Sequence, residues 1–141
     1  MTQEEKKLLL IDLSARLPYN VVIRCTDNDT DYKCFLTTDI LNELLYGTEY
    51  YDYRPYLRPM SSMKEEELKE LNEKYGNIAY FFIQEPPYYH GLQAQHSDIG
   101  SIEISEFSEI YDWLNAHHFD FRGLIEKGLA LEAPEKMYKN D

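Results

Sequence analysis

The sequence predicts an α+β fold, a small, mainly antiparallel sheet packed by two or three helices. Leu9, Leu10, Leu13 and Leu17 recur at helical spacing behind a capping-box pair, Thr2 and Glu5. Two β-branched and aromatic runs, 20–26 and 32–38, flank a polar turn. Phe107, Ile110, Tyr111, Leu114 and His118 fall at i, i+3, i+4, i+7 and i+11, the face of an amphipathic helix.

The first element is a helix over 2–17, stopped by Pro18. Its only cations are Lys6, Lys7 and Arg16, too few for a membrane-surface face, so it is expected to pack against a core. The runs 20–26 and 32–38 then form a hairpin. With Asp29-Thr30 as the loop, Cys25 and Cys34 face each other across the strands. Two cysteines are no disulfide framework. They are expected as reduced, half-buried strand residues rather than as a redox or metal pair. The run 40–46 is too short for its period to separate a helical turn from a strand.

Residues 46–58 interleave Tyr46, Tyr50, Tyr51, Tyr53 and Tyr56 with Arg54 and Arg58. Aromatics beside arginines can stack on bases or sugars. Glu49 and Asp52 offset the two arginines, however, so an irregular strand with packed rings and wet hydroxyls is the favoured reading. A helix over 62–75 follows, with a Ser62/Glu65 capping pattern, Glu65 to Glu67 at the positive end of its dipole, and Gly76 as its stop. Only Leu68, Leu71 and Tyr75 mark an apolar stripe, as on a surface helix.

The run 78–84, between Gly76 and Pro86-Pro87, reads as a central buried strand. Residues 85–100 form the longest expected loop and carry Tyr88, Tyr89, His90 and His96. Ser105 is the expected N-cap of a helix over 106–118. Asp120 is expected to cap a short turn ending at Gly128, with Leu129-Ala130-Leu131 returning extended. Asp120, Arg122 and Gly123 make a polar corner. The tail from Glu135 is polar and expected to fray. The expected core holds Leu9, Leu13, Val22, Phe35, Phe81, Ile83, Phe107, Ile110 and Leu114. The chain reads as a single domain over 1–141.

Composition narrows the function. With 43% apolar and 28% charged residues, the chain is globular. A net charge of −12 argues against direct nucleic-acid binding and against adsorption to anionic membranes. It means solubility and self-repulsion or, more sharply, carboxylates standing where phosphates would in a nucleic-acid mimic. No apolar run reaches the length of a membrane span, and the acidic start lacks the basic region of a secretory signal, so a cytoplasmic location is expected.

The sequence holds neither Gly-rich phosphate fingerprint and no Gly-x-Ser-x-Gly elbow. The spacings of His90, His96, His117 and His118 match no zinc pattern. His117 and His118 are neighbours on a helix and point about 100° apart. A histidine in a last turn suits the orphan carbonyls there. Glu103, Glu106, Glu109 and Asp112 read as a solvated face. No catalytic residue, metal or cofactor is therefore assigned, and the balance falls against an enzyme. The candidate ligand or partner contacts are Tyr51, Tyr53, Arg54, Tyr88, Tyr89, His90 and His96.

Two blocks carry a resemblance: Tyr56-Leu57-Arg58-Pro59-Met60-Ser61-Ser62-Met63 running into the Glu-rich helix, and the stretch from Asp112-Trp113 through Phe119-Asp120-Phe121-Arg122-Gly123 to Ala133. The chain resembles a family of small uncharacterised proteins of Bacteroides-type gut bacteria and their phages or mobile elements. The resemblance implies a bacterial or phage source and supplies no activity. The expectation is a non-enzymatic accessory or interaction protein of a phage or mobile element, binding a basic host protein. The alternative is a small-ligand or metal-binding module using the 85–100 loop. Exposed tyrosines leave a homo-oligomer open.

Overall fold

The computed structural model describes residues 1–47, 51–75 and 104–138, with backbone alone for 104–107. The fold is α+β, and the described residues form a four-stranded, mostly antiparallel sheet. It forms two compact units, Met1–Leu57 with Leu124–Asp141, and Arg58–Gly123. The strand expected at 78–84, the loop at 85–100 and the core positions Phe81 and Ile83 lie outside the described residues, as does the Phe107 side chain.

The first unit opens with helix α1 (Gln3–Arg16). The Thr2 hydroxyl accepts from the Glu5 N–H at 3.0 Å, and the Glu5 carboxylate accepts from the Thr2 N–H at 3.2 Å, completing the expected capping box. Leu9 and Leu13 are fully buried, and so is the Asp12–Arg16 ion pair on the same helix (2.7 Å).

Strands β1 (Val22–Thr26) and β2 (Asp31–Phe35) form the expected hairpin, with a different loop. The Asp27 carboxylate accepts from the Asp29 and Thr30 N–H groups at 2.8 and 2.6 Å, which holds it below the usual carboxylate range. The Asp27 N–H donates to the Thr30 carbonyl at 3.0 Å. The loop is therefore Asn28-Asp29, not Asp29-Thr30. Cys25 pairs with Tyr32 and Ile23 with Cys34, so the cysteines lie diagonally rather than opposite.

The expected buried face of the hairpin also turns over. Val21, Ile23 and Cys25 are buried, Val22 is half-buried and Phe35 is 60% exposed. Val21-Val22-Ile23 is apolar at both parities, so the two-residue period could not choose a face.

The ambiguous run becomes helix α2 (Thr38–Tyr46), capped by the Thr37 hydroxyl accepting from the Ile40 N–H at 3.4 Å. It buries Ile40 and Leu44. Gly47 ends it where a Cβ would sit 2.6 Å from the Glu43 carbonyl oxygen. Strand β3 (Asp52–Leu57) is regular, with Tyr53, Pro55 and Leu57 facing inward, and it pairs antiparallel with β1.

The turn at 124–128 ends as expected at Gly128, whose φ is +74°. The Gly128 and Leu129 N–H groups donate to the Ile125 and Leu124 carbonyls at 3.0 and 2.9 Å, a Schellman ending. Strand β4 (Leu131–Glu132) then runs parallel to β3, giving the order β2-β1-β3-β4. The tail is tied down at Tyr138, which is 8% exposed. Its hydroxyl donates to the Tyr56 carbonyl at 2.7 Å and accepts from the Val22 N–H at 3.0 Å.

The second unit packs α3 (Glu65–Tyr75) with α4 (Ile104–Ala116). The Ser62 hydroxyl donates to the Pro59 carbonyl, so it does not cap α3. Instead the Glu67 carboxylate reaches back to accept from the Lys64 N–H at 2.9 Å. Ser105 lies inside α4 rather than at its cap. At the far end, the His118 and Phe119 N–H groups donate to the Asn115 and Leu114 carbonyls, each at 3.0 Å. This is again a Schellman ending, with His118 at φ +64° where glycine is usual. His117 stacks on Trp113 at 3.9 Å, with its Nδ1 2.9 Å from the Trp113 carbonyl oxygen, the structural use expected of a last-turn histidine.

Candidate functional site

The first unit holds a cavity of about 380 Å³. Its wall gathers the Thr26-Asp27-Asn28 corner of the hairpin, Glu43, Leu44 and Gly47 from α2, Tyr51 to Tyr53 from the start of β3, and Met1 and Lys6 at the start of the chain. Each part is placed by a local rule. The Asp27 carboxylate fixes the hairpin corner, Gly47 stops α2, and the β1–β3 register sets Tyr53 beside Cys25.

Three carboxylates line the cavity against one lysine side chain. Asp27 is committed to the loop N–H groups, and Asp52 to the Arg54 guanidinium at 2.9 Å. Glu43 differs, since its partner here is a neutral phenol, the Tyr53 hydroxyl, which donates to it. Burial, with Glu43 beside it, pushes the Tyr53 hydroxyl well above its ordinary value, so it remains a donor at any physiological pH. The Tyr51 ring lies 5.7 Å from the Tyr53 ring, and both line the wall.

Next to this wall Cys25 and Cys34 are free thiols with sulfurs 3.0 Å apart. Burial first, then Cys34, pushes the Cys25 thiol up to about 12. Tyr32 is its direct partner in register.

Of the residues singled out from sequence, Tyr51 and Tyr53 meet in the cavity wall. Arg54 points from the opposite side of β3 and is spent on Asp52. Tyr88, Tyr89, His90 and His96 lie outside the described residues. The Tyr53 hydroxyl, expected to be wet, is instead bonded to Glu43. Sequence reasoning missed Glu43, Asp27 and Lys6, which no motif joins and which meet only through the hairpin register and the packing of α1 and α2. Among the described residues, no three His, Cys, Asp or Glu side chains converge as metal ligands, and no helix is long and apolar enough to cross a membrane.

Comparison with family models, curated proteins and solved structures returns no match to this chain.

Proposed function

We propose that the protein works by binding rather than by catalysis, and that its cavity receives a basic side chain from a partner protein. The reading is carried by the cavity wall, where two tyrosines share the lining with a carboxylate whose partner among the described residues is an uncharged phenol. Tyrosine faces attract ammonium and guanidinium groups by about 0.5–2 kcal/mol, according to how dry the site is. Glu43 adds a charge-assisted hydrogen bond to the incoming cation. The net charge of −12 supports the reading, because it draws basic partners by long-range attraction. The resemblance of residues 56–63 and 112–133 to proteins of gut bacteria and their mobile elements favours an accessory role there, with a basic host protein as partner.

The test is the affinity of a fluorescent arginine-rich peptide, read by anisotropy as salt is raised. Binding is expected to weaken several-fold in Glu43→Gln and in Tyr51→Ala, and to fall with salt. The same charge change at the exposed Glu135→Gln leaves it unchanged. An absence of binding at low salt contradicts the proposal. So does an equal loss in all three variants, which reduces the attraction to bulk charge.

A further inference from the structure

We infer that Cys25 and Cys34 form a reversible disulfide site, a dithiol that passes two electrons to a low-molecular-weight disulfide such as glutathione disulfide. The placement comes from the hairpin. Because the loop is Asn28-Asp29, Cys34 sits opposite Ile23 and Cys25 opposite Tyr32, which puts both thiols on one face of adjacent strands in a diagonal relation. Diagonal neighbours on a sheet are ordinarily too far apart for short side chains to touch. Here the two sulfurs stand 3.0 Å apart, so a bond of about 2 Å needs them to close by only about 1 Å.

The two thiols also differ in the way a two-step exchange requires. Cys34 is half-buried on the edge strand β2, within reach of a small solute. Cys25 is 1% exposed and reaches only its neighbours. Cys34 is therefore the attacking sulfur. Its thiolate displaces one thiol from the small disulfide and leaves a mixed disulfide on Cys34. The Cys25 sulfur then attacks the Cys34 sulfur and displaces the second thiol. The protons from Cys34 and Cys25 end on the two released thiols. One S–S bond is consumed and one is made, the dithiol is oxidised by two electrons, and the small disulfide is reduced by two.

Burial keeps Cys25 protonated near neutral pH, which slows the second step. It also leaves the reduced pair without thiolate stabilisation, which favours the oxidised form once made. The site is independent of the basic-partner reading, since neither cysteine lines the cavity.

The experiment is incubation of the full chain with glutathione disulfide. Intact mass spectrometry follows, then alkylation by N-ethylmaleimide under denaturing conditions. The wild type is expected to lose the mass of two hydrogens, take up no alkylating agent, and regain both thiols with dithiothreitol. Cys25→Ser is expected to stop at a glutathione adduct on Cys34, and Cys34→Ser to gain no adduct. A wild type that keeps two alkylatable thiols overturns the inference, because the sulfurs then do not meet. A wild type that stops at a single adduct, or couples chains through Cys34, overturns it as well. Because the wild-type result decides on its own, a Cys25→Ser chain that fails to fold does not blunt the test.

Discussion

The two units of the molecule hold themselves together in different ways. The first buries aliphatic side chains from α1, α2 and the sheet, with Leu9, Leu13, Ile23, Leu44 and Leu57 at its centre and Tyr53 and Tyr138 buried against them. The second clusters Trp113, Phe119, Phe121, Met60 and Met63 around the helices and sets an arginine among them. Arg58 donates to both Glu67 oxygens at 2.8 and 2.7 Å, and its guanidinium lies 4.1 Å over the Phe119 ring. Its backbone exchanges bonds with the His118 carbonyl and the Asp120 N–H, each at 2.8 Å. The first core also buries an ion pair, Asp12–Arg16, but both of its members lie on one helix, α1. The aromatic one hangs on a single cation that joins the segment leaving β3, the start of α3 and the end of α4.

The sharpest break of that comparison is Arg58→Ala. It leaves the Glu67 carboxylate buried without its cation, and a loss of about 3–5 kcal/mol is expected in urea denaturation. A loss near that of a surface residue would return the second unit to ordinary packing. The same pair sets an acid limit. Burial raises Glu67, but Arg58 and the Lys64 N–H outweigh it and hold the carboxyl below its ordinary value. A depressed folded value gives stability that is present above the unfolded value, near 4.5. That stability is lost as pH falls through the folded value. Acid titration of stability should show this loss in the wild type and not in Arg58→Ala.

In the first unit, Leu13→Ala should cost about 3 kcal/mol, the ordinary toll of a buried leucine that leaves a cavity. Tyr138→Phe should cost about 1–2 kcal/mol, because the Val22 N–H and the Tyr56 carbonyl both lose a partner. The smallest effect sits at a helix end. Gly128→Ala should cost about 1 kcal/mol from the left-handed backbone alone, since an added Cβ meets nothing within 4 Å. Thermal melts resolve both.

This contrast also explains what was legible in the sequence. Local rules worked where one segment decides its own structure. Thr2 and Glu5 cap α1, Leu9 and Leu13 face the core, and Gly128 ends its turn. They failed where two segments decide together. The Asp27 carboxylate, rather than the expected Asp29-Thr30 turn, set the hairpin register, and packing on the helices, which neither strand encodes alone, chose the face that buries Ile23 and exposes Phe35. Ser62 and Glu65 offered a capping pattern, but the Ser62 hydroxyl turns to the Pro59 carbonyl, and Glu67 rather than Glu65 reaches back, to the Lys64 N–H. Tyr138 sits in a polar tail, and nothing nearby in sequence signals the Val22 and Tyr56 backbone groups it joins. Tyr51 and Tyr53 were visible as an aromatic run, while Glu43 lay in a stretch whose period could not be assigned.

The most direct test of the binding account is where a basic peptide lands. Amide NMR shifts of the labelled protein should be followed during titration with an arginine-rich peptide. The account predicts perturbations gathered at Thr26 to Asn28, Glu43 to Gly47 and Tyr51 to Tyr53, around the cavity. Perturbations gathered instead on the exposed acidic face of α3, at Glu65, Glu66, Glu70 and Glu73, would contradict it and leave the attraction to surface charge alone.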